Sequence, residues 1–170
     1  MIFVTVGTHE QPFNRLVAQI DHLVENRIIS ELVVMQTGFS TYIPKYCEWQ
    51  SLYSFSKMNE LISQARVVIT HGGPSSFIMS LQMGKIPIVV PRQKRYNEHV
   101  NDHQVDFCRE VVQRYGNIII VEEIEQLGKT LTNYNSMTKY MKGVYNGNNE
   151  KFCKKFENIV NDLMSTINRK

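Results

Sequence analysis

The stretch Val67-Val68-Ile69-Thr70-His71-Gly72-Gly73-Pro74-Ser75-Ser76-Phe77-Ile78-Met79-Ser80-Leu81-Gln82-Met83-Gly84 decides how the chain is read. Its first four residues are all β-branched, the composition of a strand buried on both faces. His71-Gly72-Gly73-Pro74 breaks that run. Phe77, Leu81 and Met83 then continue on an apolar helix that stops at Gly84. A buried strand that passes through two glycines directly into a helix is the building block of a parallel sheet.

The same unit recurs on either side. Downstream, Ile86 to Val90 reads as a buried strand closed by Pro91. The charged loop from Arg92 to Asn97 leads into a helix over roughly 99–115, and Ile118-Ile119-Ile120-Val121 supplies the last strand. Upstream, Ile2-Phe3-Val4-Thr5-Val6 ends at Gly7-Thr8, and a helix follows Pro12 through Leu16, Ile20, Leu23 and Val24. Leu32 to Met35 is a second strand that stops at Thr37-Gly38. Tyr53-Ser54-Phe55 reads as a third short strand, the stretch with Pro44 and Trp49 as loop, and Met58 to Gln64 as helix. Strands of four to six residues alternating with helices predict an α/β fold, a parallel sheet covered on both faces. Such sheets bind ligands outside the carboxyl ends of their strands. The loops that matter are therefore 7–10, 37–40, 71–76 and 91–104.

With 170 residues, 42% hydrophobic and 21% charged, the chain has the size and composition of one globular domain, and its net charge of +3 is too small for disorder. Its longest apolar runs are too short for a membrane span. Met1 leads straight into a strand with no secretory signal, so a cytosolic location is expected. Cys47, Cys108 and Cys153 are widely spaced, without the CxxC pattern of a zinc or redox site, and are expected to be reduced thiols. The excess of 19 Lys and Arg over 16 Asp and Glu fits an anionic ligand, an acidic membrane face or nothing in particular, and no nucleic-acid partner is expected. Residues 132–149 are polar and rich in Asn and Gly, with one short helix around Met137 to Met141. From Asn149 an amphipathic helix carries Phe152, Phe156, Ile159, Val160, Leu163 and Ile167 on one face, either docked on its own domain or awaiting another chain.

Three loops can carry chemistry. At His71-Gly72-Gly73-Pro74-Ser75-Ser76, two glycines let a ligand approach the backbone, and amides and hydroxyls converge at a helix N-terminus, which attracts phosphate. The alternative is a plain strand-to-helix turn capped by Ser75 or Ser76. No GxGxxG and no GK[ST] is present, which argues against hydride transfer and ATP hydrolysis. After Arg92, Lys94 and Arg95, the run Glu98-His99-Val100-Asn101-Asp102-His103-Gln104 is dense in hydrogen-bonding groups that could read sugar hydroxyls or simply be solvated. A zinc site on His99 and His103, four residues apart, is the weaker alternative, since HExxH is missing. At Gly7-Thr8-His9-Glu10, His9 or Glu10 could serve as a base, or His9 could orient the loop. His22 reads as structural. Neither a Ser-His-Asp arrangement nor a DxD pair is present.

The loop His71-Gly72-Gly73 followed by Ser75, Gly84, Pro87, Pro91 and His103-Gln104 resembles the C-terminal donor-binding domain of the family 28, MurG-like glycosyltransferases, over roughly residues 1–125. The opening Ile2-Phe3-Val4-Thr5-Val6-Gly7-Thr8-His9-Glu10-Gln11-Pro12-Phe13 is similar to the small catalytic subunits of bacterial capsule and exopolysaccharide glycosyltransferases, relatives of the eukaryotic dolichol-pathway N-acetylglucosaminyltransferase subunit. The resemblance implies one Rossmann-like half of a GT-B fold, with a donor-binding domain over 1–131 and a linker and terminal helix over 132–170. It implies an inverting, metal-independent transferase without cofactor, which takes a hexose or N-acetylhexosamine from a UDP-sugar. A membrane-anchored subunit would bind the polyprenyl-diphosphate-linked saccharide acceptor and recruit this chain to the inner membrane face. Self-association through the terminal helix is a further route to assembly. By position, Gly7 and Thr8 would lie near the diphosphate. His71, Gly72, Gly73, Pro74, Ser75 and Ser76 would hold the phosphates, and His103 and Gln104 would approach the donor sugar, joined by Glu98, His99 and Asn101. The family's base often lies in the acceptor domain, with His9 or Glu10 as the local alternative. One departure stands out: many relatives of that family carry a ribose-binding glutamate where this chain has Met79. A non-catalytic nucleotide-sugar-binding subunit is the second reading, and an NAD-binding protein the third.

Overall fold

The computed structural model describes residues 1–141, 143 and 149–167. Six strands, β1 (Ile2–Thr5), β2 (Val33–Gln36), β3 (Glu48–Gln50), β4 (Val67–His71), β5 (Ile88–Val90) and β6 (Ile119–Ile120), form one sheet in the order β3-β2-β1-β4-β5-β6. Every pairing is parallel, with Ile2 opposite both Val33 and Val67, and His71 opposite Val90. Parallel neighbours need crossovers. Five helices accompany the sheet: α1 (Asn14–Glu25), α2 (Phe55–Gln64), α3 (Pro74–Gln82), α4 (His103–Tyr115) and α5 (Leu127–Thr132). A short α6 (Tyr134–Thr138) and α7 (Asn149–Ile167) follow.

The period of two along each strand divides the core into layers. Ile2, Val4, Val33, Met35, Val67, Ile69, Ile88 and Val90 face one side and pack with Phe13, Leu16, Val17, Ile20 and Leu23 of the α1 region and with Leu127 and Leu131 of α5. Phe3, Val34 and Val68 face the other side, against Leu61 and Ile62 of α2, while Val89 meets Phe77 and Leu81 of α3 and Cys108 and Val111 of α4. The helices after β1 and β4 therefore lie on opposite faces although those two strands are neighbours. A crevice opens between their carboxyl ends, the switch point at which doubly wound sheets bind ligands.

Four expectations are corrected. Tyr53-Ser54-Phe55 is no strand: the Ser54 hydroxyl accepts the Lys57 N–H at 3.3 Å and caps α2, which starts at Phe55. The third strand is Glu48–Gln50, inside the expected loop; it lies at the sheet edge with all three residues exposed, so it lacks the apolar signature of the inner strands. The helix expected from residue 99 begins at His103, which leaves His99 outside it. The short helix expected at 137–141 lies over Tyr134–Thr138, preceded by α5. Within 132–149, residue 142 and residues 144–148 lie outside the described residues, as does the side chain of Ile167.

The terminal helix was expected to be amphipathic, and it is. Its apolar face is not docked on the domain: Phe152, Phe156, Ile159, Leu163 and Met164 are each more than half exposed, and Phe152 and Phe156 stack on one another with ring centroids 6.1 Å apart. No described helix is long and apolar enough to cross a membrane.

Candidate functional site

The crevice beyond β1 and β4 is built around His71. As the last residue of β4 it emerges between two glycines, and its ring is packed against the backbone of both. A Cβ on Gly7 would lie 2.7 Å from its Nε2 and one on Gly73 2.9 Å from its Cδ2, and Gly7 has a φ of +74°. Only glycine suits either place. Burial pushes the His71 imidazole down to about 4, helped by the Arg92 guanidinium and by His9 and His99, so the ring is neutral at physiological pH. Its Nδ1 is buried without a hydrogen-bond partner among the described residues.

Helix α3 starts at this point. Gly73 is its N-cap, no side chain caps it, and Pro74 takes the first helical position, where its fixed φ fits and its missing N–H costs nothing. The positive end of the helix dipole is thus presented at the rim, with Ser75 exposed and Ser76 mostly buried beside it. Gly72 is placed differently from Gly73. The buried Gln104 Oε1 accepts both the Gly72 N–H and the Arg92 N–H at 3.1 Å, and the Cys108 thiol, pushed up to about 12 by burial, donates to the Gly72 carbonyl at 3.9 Å. Gln104 is therefore the pin that holds the loops after β4 and β5 together.

The loop over residues 91–102 is fastened by two arginines. Arg92 is fully buried, pulled down to about 10 by burial yet still charged at neutral pH. It donates to the carbonyls of Val6 at 2.9 Å, Gln11 at 2.7 Å and Glu98 at 3.2 Å, and lies over the Phe13 ring. Arg15 forms a two-pronged pair with the Glu98 carboxylate at 2.9 and 2.8 Å, donates to the Pro91 carbonyl and stacks on Tyr96. Glu98 also accepts the Gln93 N–H and is almost fully buried, so both its oxygens are engaged within the protein.

His9, His99 and His103 form a column at the rim, with ring centroids 4.9 Å apart for the first pair and 4.6 Å for the second. His9 Nδ1 accepts the Gln11 N–H, His99 Nδ1 the Asn101 N–H, and His103 Nδ1 meets Asn101 Oδ1 at 2.7 Å. The rings are tilted against one another, by 48° and 55°, and among the described residues no group of three or more His, Cys, Asp or Glu is arranged to hold a metal ion. Thr8, Glu10 and Asn101 are exposed on the same rim. His22 lies elsewhere, exposed on α1 and paired with Glu25. The structure thus brings Gly7, Thr8, His9, His71, Gly73, Pro74, Ser75, His99, Asn101 and His103 around one crevice, and uses Gly72, Glu98 and Gln104 as its framework.

Two contributors escaped the sequence reading. Arg15 was invisible because its partner Glu98 lies 83 residues away. Asp21 was legible: it follows Val17 by four and so shares the buried face of α1. Its carboxylate accepts the N–H groups of Lys45 and Tyr46 and the Tyr42 hydroxyl, which anchors the chain leading into β3. Burial alone would raise its pKa, but these hydrogen bonds hold it below the usual range. Met79, on α3, packs against the Phe3 and Val68 layer.

The model of the glycosyltransferase family 28 C-terminal domain matches residues 1–163. Among curated relatives, the UDP-N-acetylglucosamine transferase subunit ALG13 of Mus musculus is 35% identical over 106 residues, which are 57% of this chain and 9% of that protein. The Homo sapiens protein of the same name is 30% identical over 124 residues, 65% of this chain and 10% of that one. The chain thus spans about a tenth of the length of these relatives. Among solved structures, the glycotransferase of kitacinnamycin superposes with a TM-score of 0.53 at 19% identity, over 79% of this chain and 34% of that one. The calicheamicin glycosyltransferase CalG4 superposes at 0.51 and 12% identity, over 78% and 34%. At these identities the likeness is one of fold, and both structures are glycosyltransferases about three times the length of the matched part.

Proposed function

The chain belongs to the glycosyltransferase family 28 C-terminal domain family, and from this premise we propose that it is the donor-binding subunit of a glycosyltransferase, which holds a UDP-sugar by its diphosphate at the crevice between β1 and β4. The observation that carries this reading is the uncapped start of α3 behind Gly73, beside a neutral His71 seated against Gly7. Helix dipole, loop amides and the rim hydroxyl of Ser75 together suit a diphosphate.

In this reading the acceptor hydroxyl attacks the anomeric carbon from the face opposite the nucleotide. The new C–O bond forms as the bond to the diphosphate breaks, with inversion, and the diphosphate leaves with the bonding electrons. The charge that develops on it is stabilised by the α3 terminus, without a metal; one such donor is worth about 3 to 4 kcal/mol in other enzymes. His9 or Glu10 takes the hydroxyl proton, unless a group on the acceptor-binding chain does so. The acceptor is a lipid-linked saccharide held by a membrane-anchored partner, which brings this chain to the inner membrane face for surface-polysaccharide synthesis. The relatives named as subunits of a UDP-N-acetylglucosamine transferase support both the nucleotide and the two-chain arrangement.

Met79 favours a second reading, a subunit that binds nucleotide-sugar without catalysing transfer, because a thioether packed toward Phe3 offers the ribose no charged partner. Transfer assays of the reconstituted pair separate the two. Loss of turnover in His9→Gln or Glu10→Gln with assembly and UDP affinity intact supports catalysis by this chain; unchanged turnover in both variants places the base on the partner.

A further inference from the structure

The column of tilted rings of His9, His99 and His103 has a fixed pattern of donors and acceptors. Asn101 Oδ1 accepts the His103 main-chain N–H at 3.3 Å as well as meeting His103 Nδ1 at 2.7 Å, so it is an acceptor and His103 Nδ1 carries the hydrogen. That leaves His103 Nε2 with a lone pair. In His9 and His99 the order is reversed: each uses Nδ1 as an acceptor for a main-chain N–H, so each neutral ring carries its hydrogen on Nε2. The neutral column therefore offers two donors and one acceptor. A diphosphate, which has only acceptor oxygens, is mismatched with the third ring. Protonating His103 on Nε2 converts the column to three donors and leaves the Asn101 bond intact, whereas protonating His9 or His99 on Nδ1 would sacrifice an existing bond.

The charges around the column point the same way. On the loop after β1 stand His9 and the exposed Glu10; at the end of β4, His71; on the loop after β5, Arg92, Glu98, His99 and Asp102; on α4, His103 and Asp106. Glu98 is engaged by Arg15 and the Gln93 N–H, and Asp102 accepts the Lys94 N–H at 2.8 Å. His99 is held low by burial first, then by His103 and His9, with Arg92 adding to the effect. The column thus lies near the buried Arg92 guanidinium, whose charge Glu98 offsets only while also serving Arg15, so an incoming diphosphate adds negative charge to a net positive cluster.

We propose that His103 takes up a proton when a nucleoside diphosphate enters the crevice, so that diphosphate binding and protonation of the column are linked. The inference rests on the donor-site reading above and adds to it a proton drawn from bulk water. Calorimetric titration of the full chain with UDP at pH 7, in Tris and in PIPES, tests it, because the buffer dependence of the heat counts the protons taken up. The expected result is an uptake of about half to one proton. Between pH 6.5 and 8, where the β-phosphate of UDP is largely ionised, the Kd should rise about tenfold, the limit set by one linked proton being tenfold per pH unit. In His103→Gln the uptake should fall toward zero and the Kd become flat; the nucleotide's own protonation is common to both proteins and cancels in the comparison. Heats independent of buffer and a flat Kd in the unaltered protein would overturn the linkage while leaving the donor site standing. Uptake that persists unchanged in His103→Gln overturns the assignment to that ring. Absence of UDP binding at any pH overturns both readings.

Discussion

A single ring, His71, shows how much a residue's chemistry depends on what surrounds it. Two glycine backbones give it room, and burial beside Arg92 keeps it uncharged. Its pKa is about 4 in the folded chain against an ordinary 6.5, so the unfolded chain binds the proton more readily. Stability is then undiminished above pH 6.5 and falls as pH drops from 6.5 toward 4, by up to about 1 kcal/mol per pH unit. Urea unfolding at half-unit steps should show this decline, and His71→Gln should remove it within that window. The same ring sets the tolerance at Gly73. In Gly73→Ala the added methyl overlaps the imidazole, at a cost of about 1 to 3 kcal/mol as one or the other shifts. UDP affinity should drop at least about tenfold, or 1.4 kcal/mol, by titration. Unchanged affinity in a folded Gly73→Ala would remove the diphosphate from this loop.

At the scale of elements, α1 does most to order the crevice. Its stripe of Leu16, Val17, Ile20 and Leu23 is buried against the sheet, and Leu16→Ala should cost about 2 to 5 kcal/mol in chemical denaturation. Asp21 on the same face holds the main chain at Lys45 and Tyr46. Asp21→Ala removes the charged acceptor of these part-buried hydrogen bonds and should cost about 1 to 3 kcal/mol, with proteolysis of the 40–47 segment accelerated more than global unfolding. The inner strands and α1 were legible because burial writes itself into the sequence as runs of β-branched residues or as a 3.6-residue period. Strand β3 was not, since an exposed edge of Glu48, Trp49 and Gln50 needs only backbone pairing with β2. The rim glycines were legible from their place after strands. The roles of Arg92, Glu98 and Gln104 were hidden: in the sequence they look like hydrogen-bonding groups available to a ligand, and in the fold Arg92 and Gln104 bond main-chain atoms of distant loops while Glu98 pairs with the Arg15 side chain and the Gln93 N–H.

The whole molecule is one doubly wound sheet with a crevice at one edge and an exposed amphipathic helix, α7, at the end of the described chain. Because its side chains from Lys151 to Met164 are all exposed, removal of residues 149–170 should move the melting temperature of the domain by no more than about 2 °C, less than 1 kcal/mol. Calorimetry of the truncated chain checks this, and a larger drop would mean that the helix docks on its own domain. The sheet also has a second concavity, a pocket of about 250 Å³ at the opposite, amino-terminal edge of the strands, lined by residues including Ile2, Ile29, Glu31, Arg66 and Leu131. The two edges make the central claim decidable by chemical-shift mapping of the isotope-labelled full chain titrated with UDP. Shifts concentrated at Gly7, Thr8, His71 and Gly72 to Ser76 are the predicted result. Shifts at Ile2, Ile29 and Arg66 with the glycine loops unmoved, or none at saturating nucleotide, would contradict it.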